Sequence, residues 1–194
     1  MFFIFFLLVR LFVFIPFKVI GPSMCDTLNV FSSQCASEDS PVGEFVILDR
    51  FSYFFTPPKR GDVIVANFDI DSRHTVKRII GLPGEMIEIK DDGYVYIVQE
   101  DSTTVKLDEE VYLNEDSLGH TLPSRMTSFE IPVGSYLVLG DNRQESIDSR
   151  HCFVVQGNGD NCLFSLLGPY VERQDIMGKV RFVIWPPSHM RFVH

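Results

Sequence analysis

Apolar and polar positions alternate through most of the chain after Pro16, and the alternation predicts strands. "GDVIVANFDI" (61–70) alternates, and "TVKRIIG" (75–81) and "GEMIEIKDDGYVYIVQ" (84–99) continue the strand pattern. "GEFVILDRFSYFF" (43–55) is a further strand, and "PPKRGD" (57–62) supplies turn chemistry before the next. Asp92-Gly93 lies between two alternating runs and predicts a hairpin. "FEIPVGSYLVLGDN" (129–142) predicts a strand pair with a turn over 132–135, and "GKVRFVIWPP" (178–187) a last strand ended by prolines. No long helical period follows the N-terminus, so the expected fold is mostly β, an antiparallel sheet or partly open barrel on an N-terminal stem.

The stem has a different pattern. Met1–Ile15 is apolar except for Arg10, and seven of the chain's 18 phenylalanines fall within the first 17 residues. Fifteen helical residues reach roughly 22 Å, short of a hydrocarbon core of about 30 Å. Residues 1–17 are expected to form a short membrane helix, with a cleaved signal peptide and a buried core helix as the other readings. Residues 18–194 are expected to form one β domain outside the cytoplasm. Its expected excursions are a Ser-rich loop over 29–41, an acidic surface loop over 100–121 and an insertion over 151–175. No Lys or Arg precedes the apolar run, which runs against the charge bias expected for a cytoplasmic N-terminus.

The chain's 194 residues, 45% hydrophobic and 22% charged, suit a globular domain with its own core. A net charge of −9 leaves no basic face for nucleic acid. The four cysteines, Cys25, Cys35, Cys152 and Cys162, form two pairs ten residues apart, without the C-x-x-C spacing of a zinc site. Two local disulfides or four unrelated thiols both fit that spacing. No metal and no cofactor are expected.

Ser23 follows a Gly-Pro turn in "VIGPSMCDTL" (19–28). A serine needs a base, and none of the five histidines falls in a triad motif; G-x-S-x-G and S-x-x-K are both absent around Ser23. Lysine is the other base. Lys77 sits among Val76, Ile79 and Ile80, and strand geometry turns Lys77 and Arg78 to opposite faces, so that one can be buried while the other stays wet. A buried lysine loses its proton more readily; an exposed strand lysine fits this short stretch equally well.

Four stretches, in order, carry a family resemblance: "VRLFVFIPFKVIGPSM" (9–24), "KRGDVIVAN" (59–67), "VKRIIGLPGE" (76–85) and "LGDNRQESIDSR" (139–150). Together they resemble bacterial type I signal peptidases, and the last two are long and specific. The resemblance implies a membrane-bound serine endopeptidase, single-pass in the cell membrane with its catalytic domain on the extracytoplasmic side. Its implied partners are the lipid bilayer and the signal peptides of exported preproteins, with small residues at the first and third positions before the cut. It implies Ser23 as nucleophile and Lys77 as general base. Ser146 would hold the lysine amine, and Asp148 and Arg150 would form a steadying ion pair. Val19, Met24 and Val76 would line a shallow substrate pocket. Gly21 stands where many members of the family have a serine whose hydroxyl binds the oxyanion, leaving backbone N–H groups, chiefly that of Ser23. Asp26 replaces the usual proline. A module that binds exported chains without cutting them is the alternative these departures allow. A self-cleaving repressor-type Ser-Lys protease would need a DNA-binding segment where this chain has its apolar stem.

Overall fold

The computed structural model describes residues 14–25, 27–30, 43–68, 73–122, 126–153 and 168–194. Among the described residues there are twelve strands and a few 3-10 turns, and no α-helix. The larger sheet contains β1 (Phe14–Lys18), β2 (Phe45–Asp49), β3 (Val63–Phe68), β4 (Arg73–Gly81), β9 (Ser135–Leu139), β10 (Val171–Glu172) and β11 (Ile176–Trp185) in the order β1-β2-β11-β3-β4-β9-β10, with β12 (Arg191–Phe192) paired to β11. The smaller sheet runs β7-β6-β5-β8, from β5 (Met86–Ile89), β6 (Val95–Val98), β7 (Thr104–Lys106) and β8 (Ser128–Glu130). Every pairing is antiparallel, as the alternation predicts.

The larger sheet coils until the Phe17 ring of β1 meets the His74 ring of β4, with centroids 5.7 Å apart. Its central strands β3, β4 and β9 are covered on both sides. In β3, Val63 and Val65 join one apolar cluster while Ile64 and Ala66 join another. In β9, Tyr136 and Val138 face one cluster while Leu137 and Leu139 meet Ile87, Ile89 and Phe129 of the smaller sheet. Such doubly buried strands read as near-continuous apolar runs, which explains "VIVA" and "YLVL".

The structure corrects three expectations. Residues 14–17, assigned to the membrane helix, belong to β1, where Phe17 pairs with Val46 and Phe14 with Asp49; Pro16 is tolerated because β1 is the sheet's edge. Residues 1–13 lie outside the described residues, and no described helix is long and apolar enough to cross a membrane. β8 and β9 are joined by the expected turn, with the Ser135 N–H on the Pro132 carbonyl. They do not form a hairpin, because β8 pairs with β5 and β9 with β4. The acidic segment 100–121 is exposed over most of its length, as expected, but it is not all loop: it contains β7 and buries Glu109, Leu113, Ser117 and Thr121. The hairpin at Asp92-Gly93 is present, joining β5 to β6.

Most of the loop expected at 29–41 and residues 154–167 of the insertion lie outside the described residues; residues 171–175 of that insertion form β10 and a 3-10 turn. Neither Cys25 nor Cys152 is a free thiol. The local pairings expected for them fall on Cys35 and Cys162, outside the described residues.

Candidate active site

Strand register brings three of the four sequence boxes together. Antiparallel pairing of β4 with β9 sets Arg78 opposite Leu139, so the chain leaving β9 enters the segment 140–150 beside Lys77. The loop after β1 then crosses to the same place: the Ser23 carbonyl accepts the Asn142 N–H at 3.1 Å, and the Pro22 carbonyl accepts Asn142 Nδ2 at 3.2 Å. Gly140 lies at the crossing. A Cβ there would stand 2.1 Å from Ser146 Oγ and 2.4 Å from the Ser23 carbonyl oxygen, so only glycine fits.

Ser23 is half-buried and Lys77 is 4% exposed. Lys77 Nζ donates to Ser23 Oγ at 2.8 Å and to the Val76 carbonyl at 3.1 Å. Burial pushes the amine down to about 8. The carboxylates of Asp148 and Asp141 pull it back up, and the Arg150 guanidinium adds to the lowering. A lysine in this state is neutral often enough at neutral pH to act as a base.

Asp148 and Arg150 form the expected ion pair, with Arg150 Nη2 2.8 Å and Nε 2.9 Å from the carboxylate. The same carboxylate accepts the Gly140 N–H at 3.0 Å. Burial opposes its ionisation, but the Arg150 charge and the hydrogen bonds it receives hold its carboxyl well below the usual carboxylate range. Ser146 is buried beside Gly140, yet its Oγ makes no hydrogen bond. The expected contact with the lysine amine is therefore absent, because Nζ is directed to Ser23 and Val76 instead. Val19, Met24 and Val76 come together in one apolar cluster with Val63 and Val65. All three are buried.

The Ser23 N–H has no acceptor among the described residues. Gly21 adopts φ +97°, and a Cβ there would meet nothing within 4 Å. A serine at 21 would have the room but not the backbone conformation. Asp26 lies outside the described residues.

Sequence reasoning left Arg78 wet; it is 1% exposed. Its face of β4 is covered. Arg78 makes a bidentate pair with Asp141 (2.9 and 2.7 Å), donates to the Gly61 and His194 carbonyls (both 2.7 Å), and lies over the Tyr112 ring at 4.1 Å. The sequence also gave no sign of Glu109, which pairs with Arg143 at 2.5 and 3.0 Å while Arg143 Nε donates to the Gly140 carbonyl at 3.0 Å. The one available signal was the apolar Tyr112 and Leu113 that follow Glu109 in an otherwise acidic stretch. Glu109→Ala is expected to leave a buried guanidinium without its counter-charge and to cost about 3–5 kcal/mol of stability, read as a lower denaturant midpoint.

The family model for "Signal peptidase, peptidase S26" matches residues 1–185. Signal peptidase I P of Bacillus subtilis subsp. natto is 36% identical over 190 residues, covering 95% of this chain and 84% of that protein. Signal peptidase I T of Bacillus subtilis strain 168 is 34% identical over 190 residues, covering 95% and 81%. A crystal structure of a signal peptidase I from Enterococcus faecalis V583 aligns at 26% identity with a TM-score of 0.42, covering 64% of this chain and 97% of that one.

Proposed function

The chain belongs to the signal peptidase family, peptidase S26, and from that premise we propose that it cleaves signal peptides from exported preproteins with a Ser23–Lys77 dyad. The observation that carries this reading is the 2.8 Å approach of Lys77 Nζ to Ser23 Oγ inside an enclosure that lowers the lysine to about 8.

When Lys77 is charged it donates to Ser23 Oγ and the pair is idle. Once the proton leaves, the amine lone pair accepts the serine O–H, and the hydrogen bond reverses. Ser23 Oγ then attacks the scissile carbonyl carbon while its proton passes to Lys77. The carbonyl oxygen becomes an oxyanion that the free Ser23 N–H can bind, with no side-chain donor at Gly21. Collapse of this intermediate breaks the C–N bond, and the Lys77 ammonium gives its proton to the departing amine, the new N-terminus of the exported protein. Lys77, neutral again, takes a proton from water as that water attacks the ester carbonyl; the acyl C–Oγ bond breaks, the Lys77 ammonium returns its proton to Ser23 Oγ, and the signal peptide leaves with a free carboxylate.

The apolar cluster of Val19, Met24 and Val76, close to Ser23 and Lys77 in the chain, supports small apolar substrate side chains at the first and third positions before the cut. The apolar sequence preceding β1 supports a tether in the bilayer, with the β domain on the extracytoplasmic side where exported chains emerge. The test is incubation of the purified chain in detergent with a preprotein carrying alanine at those two positions, followed by mass analysis of the products. The reading requires a single cut after the second alanine; an intact preprotein that stays bound would favour the non-cleaving module instead.

A further inference from the structure

The loop carrying Ser23 is fastened by three side chains outside the dyad. Asn29 is 1% exposed and held at φ +61°. Its Nδ2 donates to the Gly21 carbonyl at 3.0 Å, and its Oδ1 accepts the Glu44 N–H at 2.9 Å. In return Glu44 Oε2 accepts the Asn29 N–H at 2.8 Å, and the Glu44 carbonyl accepts the Val19 N–H at 2.8 Å. Glu44 is fully buried and paired with Arg191 at 2.8 and 2.9 Å. Arg191 Nη2 reaches the Thr27 carbonyl at 2.6 Å. Positions 21, 27 and 29, on both sides of Ser23, are thus tied to one amide, one guanidinium and one buried carboxylate, and position 19 to the Glu44 backbone.

The residue types follow from the task. An amide donates through its nitrogen and accepts through its oxygen, and asparagine also tolerates the left-handed backbone found at 29. An aspartate there would set its carboxylate against the Gly21 carbonyl. The buried Glu44 carboxylate needs a cation, and the bidentate Arg191 fixes its plane. Without these ties, Gly21 (φ +97°) would leave the start of the serine loop with a wide choice of conformations.

We propose that Asn29, Glu44 and Arg191 form a positioning clamp that holds Ser23 Oγ within reach of Lys77. The three residues touch no reacting atom. The proposal rests on the dyad reading above.

Asn29→Gly keeps the left-handed backbone at little cost and removes only the amide. Glu44→Gln keeps the acceptor for the Asn29 N–H and removes the charge paired with Arg191. Both are to be assayed well below their melting midpoints, alongside hydrogen exchange at the Thr27 and Leu28 amides, which donate to the Met24 carbonyl. For Asn29→Gly the clamp requires kcat to fall roughly 10- to 100-fold, the scale of a misplacement of about 1 Å. KM and the pH midpoint should move less than about twofold and 0.3 unit, while exchange at 27 and 28 quickens about tenfold relative to Val65. Glu44→Gln should give a smaller change in the same direction. Unchanged exchange at 27 and 28 overturns the proposal, whatever the activity, and so does a kcat within twofold of the original. If the unaltered chain cuts no preprotein, the dyad reading fails while the exchange data still decide whether the loop is clamped.

Discussion

Lys77→Met is expected to abolish preprotein cleavage and at the same time to stabilise the fold. The two effects have one origin. The enclosure that makes the amine a base does so by disfavouring its charge, and that cost is carried by the folded state at every pH where the unfolded lysine is protonated. The folded value is lowered to about 8. The cost is therefore full below pH 8 and fades between about 8 and the ordinary lysine value near 10.4, as the unfolded chain also loses its proton. Methionine fills similar volume without charge. Its melting midpoint should rise at pH 7, and the gain should shrink toward pH 10. Activity should fall by at least about 10³-fold, the order seen when a nucleophile or its base is removed. Ser23→Ala should lose activity as completely, with little change in stability, since the half-buried hydroxyl bonds only the lysine among the described residues. Activity retained by either variant contradicts the dyad.

Asp148→Asn is expected to destabilise the fold strongly and to change the base at the same time. The carboxylate accepts from Gly140 N, Arg150 N, Nε and Nη2, and both partners of its ion pair are buried. An amide cannot balance Arg150, and breaking a buried pair on one side costs about 3–5 kcal/mol. Because its carboxyl is held below the usual carboxylate range, its contribution is fully present above the unfolded value of about 3.9. That contribution is lost as the pH falls through the folded value, so the gap between variant and original should be constant near neutrality and close in acid. The same substitution removes the charge that most supports the Lys77 ammonium and leaves Arg150 unopposed. The lysine should then lose its proton at lower pH still. Chemical unfolding at several pH values measures the first effect, and the pH dependence of the residual activity measures the second.

Much of this was legible from local pattern, and the misses share one physical cause. The alternation in 61–70 and 84–99 marked β3, β5 and β6 because one covered face per residue is a local property. It could not show that the central strands of the larger sheet are covered on both sides. Arg78 was therefore left to solvent when Tyr112, Asp141 and the His194 carbonyl enclose it. Charge in the segment 100–121 suggested a wet loop, yet the burial of Glu109 depends on Arg143, 34 positions away. Asn29 and Glu44 look like ordinary polar loop residues until the fold adds Arg191. The strands β8 and β9 resemble a hairpin in sequence, but the smaller sheet captures the first and β4 the second. At the site, the fold brings Ser23 to Lys77 and Asp148 to Arg150, while the Ser146 hydroxyl makes no hydrogen bond.

The central claim is that Lys77, neutral in its enclosure, is the base that activates Ser23. The most direct test is the pH dependence of kcat/KM for preprotein cleavage, which reports ionisations in the free enzyme. The account predicts a single ascending limb with a midpoint near 8, shifting downward in Asp148→Asn. A midpoint near 6.5, the ordinary value of a histidine, or one near 10.4, that of an exposed lysine, would contradict it.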